Sequence, residues 1–299
     1  MLVAWKYKER NTLIQRLDPR ARWIFLIAVL FSITLNQFWD LRFLLFFFAI
    51  SLTHFFMCKL TWKETRRILT FVFILVVVII GISTVLTGRG GPGEVLRLLR
   101  ETKNIIWEIK WVVPWVGWTI HPNISVEKLV FAATQMVRML TISILFIPLA
   151  FTFNPNQYGV TFRGLGLPDK FAVSMDLAFR FVPTLGRDFN ITLDSQRARG
   201  YEVEKLEGGL IAQIRKMAPL IVPVTINAIV GSEDIINAMD LRCFGLRKRT
   251  WIHKLEYKPR DYVLIGLGLT ILAGSTFVNL ALDMGNFWMP EWVPGLFGF

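Results

Sequence analysis

The chain has 299 residues, 54% of them hydrophobic, with 25 phenylalanines and a formal net charge of +12. Its positive mean hydropathy excludes disorder and points to a membrane protein. In such a chain, basic residues retained on the cytoplasmic side account for the charge, so nucleic-acid binding is not expected.

The N-terminal segment carries Lys6, Lys8, Arg10, Arg16, Arg20 and Arg22 before any apolar run. The run that follows has no small-residue cleavage site, so no secretory signal peptide is expected. Apolar runs cover residues 23–39, 43–58, 68–87, 129–153 and 262–282, and predict five transmembrane helices. The two cysteines, Cys58 and Cys243, both fall on or near the cytoplasmic side and predict no disulfide. Lys and Arg number six in the N-terminal segment, four in residues 59–67 and sixteen in residues 154–260. Only Arg42 lies between the first two runs, five basic residues lie in 88–126, and none follows Leu282. This asymmetry predicts a multi-pass plasma-membrane protein with a cytoplasmic N-terminus and an outer C-terminal tail. The chain divides into residues 1–153, with four spans; 154–260, a cytoplasmic region; and 261–299, the last span and tail.

In the outer link, Trp107, Trp111, Trp115 and Trp118 fall at helical spacing, which suits an amphipathic segment anchored among headgroups. The run Gly88-Arg89-Gly90-Gly91-Pro92-Gly93 fits G-x-G-x-x-G formally, but it follows a membrane helix and reads as a turn. Arg138, inside the fourth span, is a functional candidate because a charge there is costly. The other reading is that it packs in the bundle against a carbonyl or snorkels outward.

Residues 154–260 are too apolar for a free loop. Leu167-Pro168-Asp169 starts a helix whose Phe171, Met175, Ala178, Val182, Leu185 and Phe189 share a face, and which runs to Arg199. A second helix runs from about residue 209 to 242. Its apolar core, 220–230, lies between Arg215-Lys216 and Glu233-Asp234, close to Pro219 and Pro223. A core that short is expected to be interfacial, and the two helices to pack on each other beneath the membrane. If it crossed, the C-terminus would move to the cytoplasm. Each helix ends in an Arg with a Gly on or just after it: Ala198-Arg199-Gly200, and Leu241-Arg242-Cys243 with Gly245. Gly suits a helix stop, and an Arg there faces the negative end of the dipole and offers a planar fork to a carboxylate. No phosphate-binding loop occurs, His54, His121 and His253 are scattered, and nothing has metal-ligand spacing.

These residues resemble the transmembrane T component of energy-coupling factor (ECF) transporters, the cobalt and vitamin importers of the ABC class. Leu17-Asp18-Pro19-Arg20 is similar to that family's N-terminal motif. Gly164-Leu165-Gly166-Leu167-Pro168, followed by Arg180-Phe181-Val182-Pro183-Thr184-Leu185, resembles its first coupling-helix region. Ala198-Arg199-Gly200 is similar to its first Ala-Arg-Gly signature. Residues 238–245 are similar to the second, although Leu241-Arg242-Cys243 stands where Ala-Arg-Gly is commonest. The resemblance implies an all-α membrane protein with a cytoplasmic platform of two long coupling helices. It implies a non-catalytic scaffold that transmits motion from two cytoplasmic ATPases to a separate substrate-binding S component. ATP would be bound by the ATPases, with no cofactor or metal in this chain. On that resemblance Ala198, Arg199, Gly200, Leu241, Arg242, Cys243 and Gly245 contact the ATPases. Arg180, Pro183, Gln196, Arg197 and Asp240 support the coupling helices. The competing readings are an intramembrane or lipid-modifying enzyme using Arg138 and His54, and a self-contained channel or carrier.

Overall fold

The computed structural model describes residues 7–36, 39–82, 105–108, 111–112, 119–120, 123–201, 210–246, 251 and 255–282. In chain order they form α1 (Pro19–Leu35), α2 (Leu41–Met57), α3 (Trp62–Ile82), β1 (Ile105–Glu108), β2 (Trp111–Val112), β3 (Thr119–Ile120) and β4 (Asn123–Ser125). These are followed by α4 (Val126–Thr152), a 3-10 turn (Pro155–Gln157), α5 (Tyr158–Gly164), α6 (Asp169–Ala198), α7 (Leu210–Leu241) and α8 (Pro259–Leu282). The chain is an all-α membrane protein; among the described residues, short strands occur only in the link before α4. The described residues separate into two units, one from Lys8–Phe153 and the chain from Tyr257 onward, the other from Tyr7 and Asn154–Glu256.

In the first unit α1 is central. Asp18 caps it, accepting from the Arg20 N–H, and Pro19 occupies the first turn, where a missing N–H costs nothing. Phe25, Leu26, Val29 and Ile33 of α1 pack with Leu44 and Phe47 of α2 and Leu145 of α4 in the buried core. α1 and α8 run parallel. At one end the Asp18 N–H donates to Asp261 at 2.8 Å, and at the other Asn36 Nδ2 donates to Ser275 Oγ at 2.9 Å. Between those ends the backbones approach closely: a Cβ on Gly268 would lie 3.2 Å from Phe25 Cα. α4 runs opposite to α1, with Arg138 donating to the Ile33 carbonyl at 3.4 Å and Arg22 donating to the Thr152 carbonyl at 3.2 Å. The start of α1, the end of α4 and the start of α8 therefore meet at one end of this bundle.

Four helical stretches among the described residues are long and apolar enough to cross a membrane: Trp62–Ile82, Lys128–Thr152, Met217–Leu241 and Pro259–Ala281. α1 and α2, with 17 residues each, reach about 26 Å, just under the hydrocarbon thickness. The stretch in α7 differs from the short core expected at 220–230. Its prolines break no apolar continuity, and no charge occurs from Met217 to Ser232.

The Trp-rich link also differs from expectation. Trp107 and Trp111 lie on strands, not on a helix: Trp107 pairs with Ile124 and Trp111 with Ile120, and the two antiparallel pairs keep the same register. A spacing of four is close to a helical turn and also a multiple of the strand period, so it does not separate the two. Trp115, Trp118, the Gly88–Gly93 run and the tail after Leu282 lie outside the described residues.

The second unit is built on α6. A Cβ on Gly159 would sit 2.7 Å from the Ala172 carbonyl oxygen, so only glycine lets α5 lie this close to α6. Tyr158 stacks on Phe179 with ring centroids 4.4 Å apart, and Arg163 pairs with Asp169 at 2.6 Å across the intervening turn. α6 packs on α7. Of the residues that share an apolar face on α6, Phe171, Ala178 and Leu185 are exposed and Met175, Val182 and Phe189 half-buried, while the buried residue of the helix is Ala172. On α7, Leu220 is buried, and Ile221, Val222, Ile226, Ile229, Val230 and Ile236 point outward.

Candidate partner interface

The two helix tips have the same backbone. At the end of α6 the Tyr201 N–H donates to the Gln196 carbonyl at 3.0 Å and the Gly200 N–H to the Arg197 carbonyl at 2.9 Å, with Gly200 at φ +83°. This is a Schellman cap, which satisfies carbonyls that a helix end leaves open. At the end of α7 the Phe244 N–H donates to the Met239 carbonyl at 3.0 Å and the Cys243 N–H to the Asp240 carbonyl at 2.9 Å. Residue for residue, Arg242 takes the place of Arg199 and Cys243 that of Gly200, at φ +51°. Gly245, at φ +90°, serves a further turn in which the Leu246 N–H reaches the Cys243 carbonyl at 3.5 Å. The departure from Ala-Arg-Gly thus keeps the cap and places a non-glycine residue in its left-handed position.

Each cap turns its Arg outward. Arg199 and Arg242 are exposed, and among the described residues neither guanidinium has an ion-pair or hydrogen-bond partner. Ala198, Gly200, Leu241, Cys243 and Gly245 are exposed as well, Leu241 to 87%. The apolar Leu241 and the charged Arg242 together make an open knob. Of the supporting residues, Arg197 lies 3.7 Å from Asp194, Arg180 pairs with Asp176 at 2.9 Å, and Asp240 is exposed.

Gln196 has a definite structural part. Its Nε2 donates to the Pro219 carbonyl of α7 at 3.3 Å. In a regular helix that carbonyl would accept the N–H of residue 223, but Pro223 has none. The proline pair frees a carbonyl, and the last turn of α6 takes it. Pro183 likewise withholds an N–H from within α6. Pro219, where the first tip is braced, lies at most about 34 Å from Arg242 along α7.

Arg138 is engaged inside the first unit. Besides the Ile33 carbonyl, its guanidinium lies 4.9 Å from the Trp39 ring, which stacks on Phe131 at 5.2 Å. Ile33 is in the last turn of α1, where a cation complements the helix dipole. Among the described residues no group of three or more metal-ligating side chains occurs.

Sequence reasoning missed Asp261. It is 1% exposed, and its two oxygens accept the Asp18 and Lys258 N–H groups at 2.8 and 2.7 Å. The only sequence signal was its partner, the Leu-Asp-Pro-Arg run.

Residues 10–252 match the CbiQ family, described as cobalt transport protein. The energy-coupling factor transporter transmembrane protein EcfT of Clostridium kluyveri is 25% identical over 86% of this chain and 89% of its own length. The EcfT of Staphylococcus aureus is 24% identical over 90% of this chain and 94% of its own. That of Lacticaseibacillus paracasei is 34% identical over a shorter part, 34% of this chain and 38% of its own. With the match running from the segment before α1 through both helix tips, the chain belongs to the CbiQ family and is the transmembrane T component of an energy-coupling factor transporter.

Proposed function

We propose that the chain is a non-catalytic coupling scaffold whose two Arg tips each seat in an acidic groove on one of two cytoplasmic ATPases. The observation that carries this reading is the repeated cap, which holds an unpaired Arg outward at two points. A bidentate fork on a rigid helix end transmits direction as well as charge. A separation approaching the width of a small domain suits two sockets better than one. The apolar residues that α7 turns outward suit a membrane subunit that captures the solute, a vitamin or metal ion. ATP is then bound by the partner ATPases. The enzyme alternative has less support, because Arg138 is engaged with a carbonyl and an aromatic ring.

The scaffold reading places the coupling region on the cytoplasmic side, together with the N-terminus. It is supported by the meeting of the end of α4 with the starts of α1 and α8. A chain that leaves and re-enters the bundle at the same end makes no net crossing in between, so α7 is interfacial despite its apolar length. A cysteine placed at exposed Ser232 is expected to be protected from an impermeant reagent outside intact cells, and labelling there would overturn this topology.

The scaffold itself is tested with Arg199→Glu combined with Arg242→Glu, which sets like charges against acidic grooves. The double variant is expected to lose co-purification of the ATPases and solute uptake. Retention of both would reduce the tips to ordinary helix ends.

A further inference from the structure

The chain passes between the two units at Tyr7–Lys8, Phe153–Asn154 and Glu256–Tyr257. On the membrane-bundle side, each of these passages is tied to the short segment around the start of α1. At the first, the Lys8 carbonyl accepts from Gln15 Nε2 at 2.8 Å, and Gln15 Oε1 accepts the Arg10 N–H at 2.8 Å. At the second, Arg22 donates to the Thr152 carbonyl at 3.2 Å and its guanidinium lies 5.1 Å from the ring of buried Phe153. At the third, the Arg20 guanidinium lies 3.8 Å from the Tyr257 ring, and Asp261 holds the Asp18 and Lys258 N–H groups. Asp18 in turn pairs with Arg20 at 2.8 Å.

Buried charges are costly unless fully satisfied, and breaking one partner of such a set is costlier still. Here Asp18, Arg22 and Asp261 are all buried, and all act where the chain leaves or re-enters the bundle. We propose that Gln15, Asp18, Arg20, Arg22 and Asp261 form a fulcrum: positioning residues that hold the three passages fixed, so that motion imposed on the coupling region reaches the membrane bundle as a defined displacement and is not lost as slack. This rests on the scaffold reading above. A lever moves its load only about a fixed point, and these contacts supply that point from the segment leading into α1, its first turn, and the first turn of α8. The Leu-Asp-Pro-Arg run then has a role in coupling besides capping α1.

The test uses the intact transporter complex in lipid, with spin labels attached through unnatural amino acids introduced at Lys63 and Ser232, so that Cys58 and Cys243 stay in place. The distance between labels is measured with and without a non-hydrolysable ATP analogue. The reference complex is expected to give a narrow distribution that shifts with the nucleotide. Asp261→Asn is expected to speed hydrogen exchange in peptides covering residues 14–22 and 255–262, to broaden the distribution, and to abolish the shift while the ATPases still co-purify. Arg22→Leu is read in the same way if Asp261→Asn does not accumulate, and Arg22→Lys is expected to restore the shift. An Asp261→Asn or Arg22→Leu complex that keeps the narrow, nucleotide-dependent shift would overturn the fulcrum, as would unchanged exchange in Asp261→Asn. A reference complex with no nucleotide-dependent shift would overturn the scaffold reading instead.

Discussion

The tips of α6 and α7 have the same hydrogen-bonded cap and the same outward Arg, but they are supported differently. The first has glycine in the left-handed position and is braced by Gln196 on the Pro219 carbonyl. The second has Cys243 in that position and ends a helix that turns apolar residues outward between Ile221 and Ile236. The difference teaches that the signature is a backbone shape first. Any sequence that can pay the left-handed cost presents Arg in the same way, and what surrounds the tip decides how rigidly it is held.

The comparison can be broken most forcefully at the arginines. Arg199→Ala and Arg242→Ala each remove a charge that the scaffold reading pairs at an interface, a loss of about 2 kcal/mol or more, or about thirty-fold in affinity for that socket. Uptake is expected to fall more than assembly, because the other tip still holds. Equal uptake in the two variants and the parent, measured at matched expression, would remove both tips from the mechanism.

A smaller effect separates the two sides. Gln196→Leu leaves the Pro219 carbonyl without its donor and costs about 1 kcal/mol, confined to the first tip. Hydrogen exchange is expected to rise at residues 196–201 and to stay unchanged at 239–244. A rise at both would mean that the tips are not independent.

The smallest effects exchange the cap residues. Cys243→Gly relieves a left-handed non-glycine residue and is expected to stabilise α7 by about 1 kcal/mol. Gly200→Ala introduces the same strain and is expected to destabilise α6 by a similar amount. No atom lies within 4 Å of where that Cβ would sit, so the effect is conformational and not a clash. Thermal unfolding of the purified subunit reads both, and a shift of the same sign in the two would contradict the shared cap. Cys243 also serves as a native reporter. It is free and exposed while Cys58 is buried, so thiol labelling of Cys243 is expected to slow once the ATPases bind.

The first tip was legible because an Arg-Gly pair after a periodic stretch states a helix stop directly. The second was legible in its arginine but not in its cap. Cysteine carries no left-handed signal, and the nearby Gly245 suggested a different residue for the turn. Parallel packing of α1 on α8 could not be read, because it depends on Asp261 accepting from a backbone N–H 243 residues away. Such a bond leaves no pattern at either position. The shared apolar face of α6 was legible, but its partial exposure was not. Periodicity reports which residues share a face and says nothing of whether this chain or another subunit covers it. The Trp link shows a related limit, since a four-residue spacing serves a strand as well as a helix.

The central claim, that each tip seats one ATPase, is tested most directly by counting. The transporter is purified with Arg199→Glu alone and with Arg242→Glu alone, and the ATPase content of each complex is measured by native mass spectrometry. The expected result is a complex that keeps one ATPase and loses the other, with the lost subunit differing between the two variants. Retention of both ATPases in each variant, or loss of both in each, would contradict it.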